Sequence, residues 1–565
     1  MREDDNMTNG KHEFTFDKLQ KVVEKFTDRI RHAGRGNSQD FMPITVGTLM
    51  LKRIIDERTH YKRFLIQQLS KEGVTLDAFV EKNNTGKFKV DETALWSFRL
   101  DWSDVAQFPG NVEHASEGIT YTDMDCIRKH GVGVDNHAYV PVDENGALIT
   151  MKTGLVKFLA NSFRNELFRQ LFDVFNFTSL VGQRVSDTDR IVMDDACFDG
   201  ILSELDPFDF SVHQEDRDIF ADVYMELIGN YTGGGGKQSG EFFTPPSIVQ
   251  NAVRFIRFDR ELDNVKIGDP TAGVCTFAIE GVNAFSGGNQ SLKDKVEVVV
   301  GEKSIRSGVL GATNIYLNGI EKSHVYIGDS ITEYPEKLGQ FSGKLDYIFA
   351  NPPYGLKDYG IDHINKKDAV WKYGVPKKGD CEYAFLQVVM DLMNDRGQAV
   401  LVMPMNTLFK SSTKAIRKAI LETGCVAGIV SLPPKLFQNT DIPVCLWILD
   451  KDRPDMSVDG GTPSVMMIDS SRDFKRDGKR NIWTPGSSMN VDAFQIYHEQ
   501  KNINGYSCMV SYEQIKQSGY RLDTGAYIFN EEEELIDIKK VRNNMRQLTK
   551  ALFADLYGNK ALFNL

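Results

Sequence analysis

The chain has 565 residues, of which 41% are hydrophobic and 26% charged, with a formal net charge of −12 and seven cysteines. That length leaves room for roughly two to four domains, and no run approaches the about 18 apolar residues of a membrane span. The cysteines are scattered, odd in number and without a CxxC pair, which argues against a disulfide frame or a structural zinc site and predicts reduced thiols in a cytoplasm.

Met1-Arg2-Glu3-Asp4-Asp5 does not read as a signal peptide. Apolar residues at helical spacing predict helices over Phe14–Ile30, Val46–Leu69 and Leu155–Phe175. Residues 1–215 therefore read as a mainly helical domain. It holds no catalytic constellation: His114, His130 and His137 suit surface or capping positions better than metal ligation, and no metal is expected. Tyr231–Gly240 is rich in glycine and reads either as a linker or as a mobile loop beside a ligand. Glu241-Phe242-Phe243-Thr244-Pro245-Pro246 follows, and then a helix over Ser247–Phe258.

From there strands and helices alternate as in a doubly wound α/β sheet. Val265–Asp269, Val296–Gly301, His324–Gly328 and Leu345–Ala350 are the first four strands, followed by Asp269-Pro270-Thr271-Ala272-Gly273, Glu302, Asp329 and Asn351-Pro352-Pro353-Tyr354. Ala399–Met403, Val426–Ser431 and Val444–Leu449 continue the sheet, with helices over Ile305–Leu317, Glu382–Met393 and Thr413–Leu421. A domain over 216–490 results. Beyond Asp450 the periodicity weakens, and 491–565 reads as a carboxy-terminal region ending in a charged amphipathic helix over Glu531–Phe553, suited to a partner.

Ligands bind at the carboxyl ends of strands in such sheets. A carboxylate after the second strand, here Glu302, suits ribose hydroxyls, and an acceptor near the third, here Asp329, suits an adenine amine. Gly273 admits close backbone approach at the first turn. No pyrophosphate signature is present, so a nucleoside without one fits best, as S-adenosylmethionine is. At the fourth strand the Asn351 amide oxygen and the Pro352 carbonyl can both accept from an exocyclic amine, and Tyr354 offers a ring for stacking; this suits a flipped nucleobase. Alone, the tetrapeptide reads more readily as a turn that ends a strand, since Asn-Pro pairs are common turn punctuation. Two basic clusters stand out, Arg472, Lys475, Arg476, Lys479 and Arg480, and Lys366, Lys367, Lys372, Lys377 and Lys378. The second, beside the proposed base pocket, is the better candidate for phosphate contact. A net charge of −12 places DNA contact on such patches or on a partner.

Gly240–Pro245, Asp269–Gly273, Glu302, Gly328-Asp329, Asn351–Tyr354, Gly397–Pro404 and Leu432–Phe437 with Thr440–Pro443 resemble, in order and spacing, the methylation subunit of type I restriction–modification systems, a family of adenine-N6 DNA methyltransferases. The likeness is clear over about 220–450. It implies a methyltransferase sheet; S-adenosylmethionine held by Glu241, Phe242, Phe243, Thr244, Pro245, Pro246, Asp269, Thr271, Ala272, Gly273, Glu302 and Asp329; and chemistry at Asn351, Pro352, Pro353 and Tyr354. It also implies double-stranded DNA as substrate, a DNA specificity subunit and a restriction subunit as partners, and two copies of this chain per cytoplasmic complex. Where the family usually continues with small residues, this chain has Val274-Cys275-Thr276-Phe277, bulk that would crowd the methionine part of the cofactor or shift the loop. A catalytically silent scaffold and a protein-glutamine methyltransferase are the alternative readings.

Overall fold

The computed structural model describes residues 244–528, apart from 321, 438–439, 454–462 and 479, together with short stretches nearer either end. The described positions of the predicted helices 14–30 and 46–69 are helical, as are 542 and 545–549 of the tail, whereas 155–175 and 231–240 lie outside the described residues.

The body is a nine-stranded mixed sheet covered by helices on both faces. Its strands are β1 (Val265–Asp269), β2 (Val296–Glu302), β3 (Lys322–Ile327), β4 (Leu345–Ala350), β5 (Met393–Pro404), β6 (Val426–Ser431), β7 (Val444–Asp450), β8 (Ser464–Asp469) and β11 (Ser507–Ser511). A separate antiparallel hairpin pairs β9 (Phe474–Asp477) with β10 (Arg480–Trp483). The order in the sheet is β11-β8-β6-β7-β5-β4-β1-β2-β3, with β7 and β11 antiparallel to the rest.

Alternation along the central strands sorts side chains into two cores, since successive residues point to opposite faces. Tyr347 and Phe349 of β4 and Val400 and Val402 of β5 face one layer, and Ile348, Ala350, Leu401 and Met403 face the other. The first layer is closed by α1 (Pro246–Ala252), α2 (Thr276–Ser286), α3 (Ile305–Leu317) and the later helix Ala493–Glu499. The second is closed by α4 (Cys381–Leu392) and α5 (Lys414–Leu421). Buried on both sides, β6 and β7 are continuous apolar runs, as strands in the middle of a covered sheet must be.

After β3 the chain crosses back over β2 and β1 to lay down β4, so the strand order reverses between β1 and β4. In open sheets of this kind, ligands bind outside the carboxyl ends of the strands at such a reversal. Among the described residues no helix is long and apolar enough to cross a membrane, and no group of His, Cys, Asp or Glu side chains could hold a metal ion.

Candidate functional site

At the end of β1, Asp269 is buried and its Oδ1 accepts from the Thr271 N–H at 2.8 Å and from Thr271 Oγ1 at 3.2 Å. Burial pushes this carboxyl up to about 8; the Thr271 bonds only partly oppose that, and the nearby Glu302 charge adds to it. The Ala272 N–H donates to Gly301 O at 2.9 Å, and the chain then turns through Gly273 and Cys275, both in the left-handed region at φ 54° and 63°. Among the described residues, a Cβ on Gly273 would have no atom within 4 Å, so they leave the space before this turn open.

Cys275 is fully buried, and its bulk is taken up against α3: a Cβ on Gly311 would fall 2.5 Å from Cys275 Sγ. Asn314, one turn further along α3, donates through Nδ2 to Val274 O at 2.9 Å. The bulk of Cys275 is thus met by a glycine in the helix behind it. The turn is held from β2 as well. Glu302 accepts the Gly273 N–H on Oε2 at 2.8 Å and the Ser304 N–H on Oε1 at 2.8 Å.

At the end of β3, Asp329 Oδ1 accepts the N–H groups of Ile331 at 2.9 Å and Thr332 at 3.1 Å, and Oδ2 pairs with Lys303 Nζ at 2.8 Å. Burial alone would raise this carboxyl, but Lys303 and the two N–H groups outweigh it and hold it below the ordinary value. Asp329 is therefore an anion at neutral pH, and Lys303 on the next strand end ties it to Glu302.

At the end of β4, the Asn351 amide is gripped at both ends. Its Nδ2 donates to Thr244 Oγ1 at 2.8 Å, and its Oδ1 accepts from the Tyr354 hydroxyl. Thr244 is delivered by the Pro245-Pro246 start of α1, where the Pro245 carbonyl caps the helix by accepting from Ile248 N–H at 2.9 Å. The Tyr354 ring meets Phe437 edge-on, with centroids 6.1 Å apart. Pro353 O accepts from Cys381 Sγ at 3.6 Å, and the buried Glu382 accepts the Gly355 N–H at 2.8 Å, so the first turn of α4 braces the loop from below. The Pro352 carbonyl accepts no hydrogen bond from a described residue.

Of the residues singled out from sequence, Thr244, Pro245, Pro246, Asp269, Thr271, Ala272, Gly273, Glu302, Asp329, Asn351, Pro352, Pro353 and Tyr354 all lie on one edge of the sheet, around the β1/β4 reversal. Glu241, Phe242 and Phe243 lie outside the described residues. Sequence reasoning passed over Lys303, Glu382 and Gly311. Lys303 adjoins a flagged acid and could have been suspected; the other two act from helices far along the chain and leave no local signal.

A profile of the family described as N-6 DNA methylase matches residues 215–535, more than half of the chain. The type I restriction enzyme MjaVII methylase subunit of Methanocaldococcus jannaschii is 26% identical over 366 residues, which are 62% of this chain and 60% of that protein. The type I restriction enzyme HindI methylase subunit of Haemophilus influenzae is 27% identical over 352 residues, 61% of this chain and 76% of that protein. Among solved structures, the type I restriction-modification system methyltransferase subunit from Streptococcus thermophilus shares the fold, with a TM-score of 0.65 at 19% identity, over 91% of this chain and 100% of that one.

Proposed function

Since the chain belongs to the N-6 DNA methylase family, we propose that it is the methylation subunit of a type I restriction–modification system, acting on the N6 amine of adenine in double-stranded DNA. The observation that carries this reading is the Asn351 amide, fixed between Thr244 and Tyr354 at the strand-order reversal, with the Pro352 carbonyl beside it left without a donor among the described residues.

The other strand ends fit S-adenosylmethionine. The open space before Gly273 admits a ligand close to the backbone, and the Glu302 and Asp329 carboxylates stand at neighbouring strand ends. Each carboxylate oxygen can accept more than one hydrogen bond, so their present partners leave capacity for hydroxyls and an amine. Bound there, the cofactor supplies an activated methyl group. Glu302 takes the ribose, Asp329 the adenine amine, and Thr271, Ala272 and Gly273 line the approach.

The chain's own chemistry lies in holding the target base. Asn351 Oδ1 and the Pro352 carbonyl accept from the two hydrogens of the N6 amine, which draws its lone pair out of conjugation with the ring. Tyr354 stacks on the base once it has left the duplex. No covalent nucleophile takes part: burial raises the Cys275 and Cys381 thiols, and both are engaged in packing or in bracing the loop. Alignment is the main source of rate, and well-oriented placement can contribute roughly 7–11 kcal/mol. The acidic chain works in the cytoplasm beside a specificity subunit that reads the sequence and a restriction subunit that cleaves, with two methylation subunits per complex.

Asn351→Ala tests the assignment. Methylation of duplex DNA should fall on the order of a thousandfold or more, while calorimetric S-adenosylmethionine affinity stays within a few-fold of the parent. Retained methylation would refute the role given to Asn351.

A further inference from the structure

The β9–β10 hairpin rises from the same edge of the sheet as the candidate site. β8 runs parallel to β6, and only Ser470–Asp473 separate its carboxyl end from β9. Its root is rigid: the buried Asp473 carboxylate accepts from Ser470 Oγ at 2.5 Å, Tyr506 Oη at 2.7 Å and the Gly486 and Ser488 N–H groups at 2.8 Å each.

Both loops that touch Asn351 and Tyr354 are tied to this hairpin. Asn481 donates through its N–H to Lys435 O at 3.0 Å and through Nδ2 to Pro434 O at 2.7 Å, in the loop that presents Phe437 to Tyr354. Trp483 donates its N–H to Ser247 Oγ at 3.3 Å, three residues from Thr244, and its ring stacks on Phe255. Beyond these anchors every residue of β9 is exposed. Lys475 and Arg476 make no ion pair with a described residue, whereas Arg480 on the facing strand pairs with Asp441 at 2.9 Å. Ile482, cross-strand from Lys475, adds an exposed apolar side chain of the kind that packs on sugar faces or base edges. In the lysine cluster after Tyr354, Lys378 bridges Asp358 at 2.9 Å and Asp362 at 2.8 Å, and this cluster has no comparable ties to the two loops at Asn351 and Tyr354 among the bonds of the described residues.

We propose that this hairpin is a phosphate-contacting surface that seats duplex DNA beside the base pocket, with Lys475 and Arg476 as its principal cations. The proposal rests on the reading of the chain as a DNA methyltransferase. Phosphate contacts fix the position of a duplex without reading its sequence, which suits a subunit that leaves recognition to a partner.

The test uses the full chain and a labelled mixed-sequence duplex, with anisotropy titrations over a range of salt. Lys475→Ala with Arg476→Ala should weaken binding about tenfold at moderate salt and lower the slope of log affinity against log salt by about 2. Calorimetric S-adenosylmethionine affinity should not change, which shows that the variant is folded. Lys366→Ala with Lys367→Ala should leave the slope as it is. The proposal is overturned if the hairpin variant binds DNA like the parent, if the lysine-loop variant carries the loss, or if the parent binds no duplex at the lowest salt. A hairpin variant that keeps DNA affinity but loses a protein partner would make this a docking face for protein instead. A parent that binds DNA through the hairpin yet has no affinity for S-adenosylmethionine would sink the methyltransferase reading and leave this surface standing.

Discussion

Replacing Thr244 with valine keeps the shape of the side chain and removes the one oxygen that accepts from Asn351 Nδ2 at 2.8 Å. The two ends of an amide are nearly equal in size, so hydrogen bonds decide which end faces the reacting amine. With Thr244 gone, the Tyr354 hydroxyl alone among the described residues holds the oxygen end. A lost hydrogen bond costs about 1 kcal/mol net, and a part-buried N–H group left without its partner costs about 1 more. If the whole 1–2 kcal/mol is felt in the transition state, the single-turnover rate of methyl transfer falls roughly 5- to 30-fold. The rate is read at saturating S-adenosylmethionine, since Thr244 is itself among the residues expected to hold the cofactor, and the KM for DNA should move less than about twofold, because duplex binding does not depend on which way the amide faces. Thr244→Ser restores the oxygen and should recover most of the rate. A valine variant as fast as the parent, or serine and valine equally slow, would show that Thr244 does not orient Asn351.

Two further outcomes follow from the turn after β1. Asp269 titrates near 8 in the fold against an ordinary 3.8, with burial as the main cause, so the native state holds its proton more tightly than the unfolded chain does. That contribution is complete below about pH 4, is lost as the pH rises to about 8, and is level above it. Asp269→Asn keeps the acceptor for Thr271 and does not titrate, so its Tm relative to the parent should improve steadily between about pH 5 and pH 8; a gap independent of pH would contradict this. For Gly311→Ala, the added Cβ would lie 2.5 Å from Cys275 Sγ and 3.1 Å from Gly273 O. Overpacking of about 1–3 kcal/mol should outweigh the helix gain of about 1 kcal/mol, lowering Tm and weakening cofactor binding, with partial recovery on adding Cys275→Ala. Strict additivity of the two changes, within about 0.5 kcal/mol, would rule out the contact.

The strands that present the site were legible because each is an apolar run closed by a polar residue, and helix Ile305–Leu317 agreed to the residue. Where pairing is remote, the sequence said little. β11 lies against β8 some 40 residues earlier, with Ser507 opposite Ile468, and it is only partly buried. The exposed β9 carries no alternation at all, since neither of its faces is buried. β5 begins at Met393 instead of Ala399, because Asn394-Asp395-Arg396-Gly397 looks like a turn and becomes strand through an irregular register against Leu345 and Tyr347. At the site, the acids and the Asn-Pro-Pro-Tyr turn could be found by type and spacing. What accommodates Cys275 could not: the room is made by a glycine in a different helix, 36 residues along the chain.

β8 has β6 on one side and β11 on the other, and Val465–Ile468 are buried. Cutting the polypeptide near 490 would strip off its outer neighbour and leave a bare, oily rim, the kind of border that recruits strands from other molecules. Fragments trimmed to the recognisable motifs and ending there should precipitate or pair among themselves. Whatever draws residues 507–511 away from the sheet would loosen the root of the hairpin as well, through the neighbouring Tyr506 and its bond to Asp473.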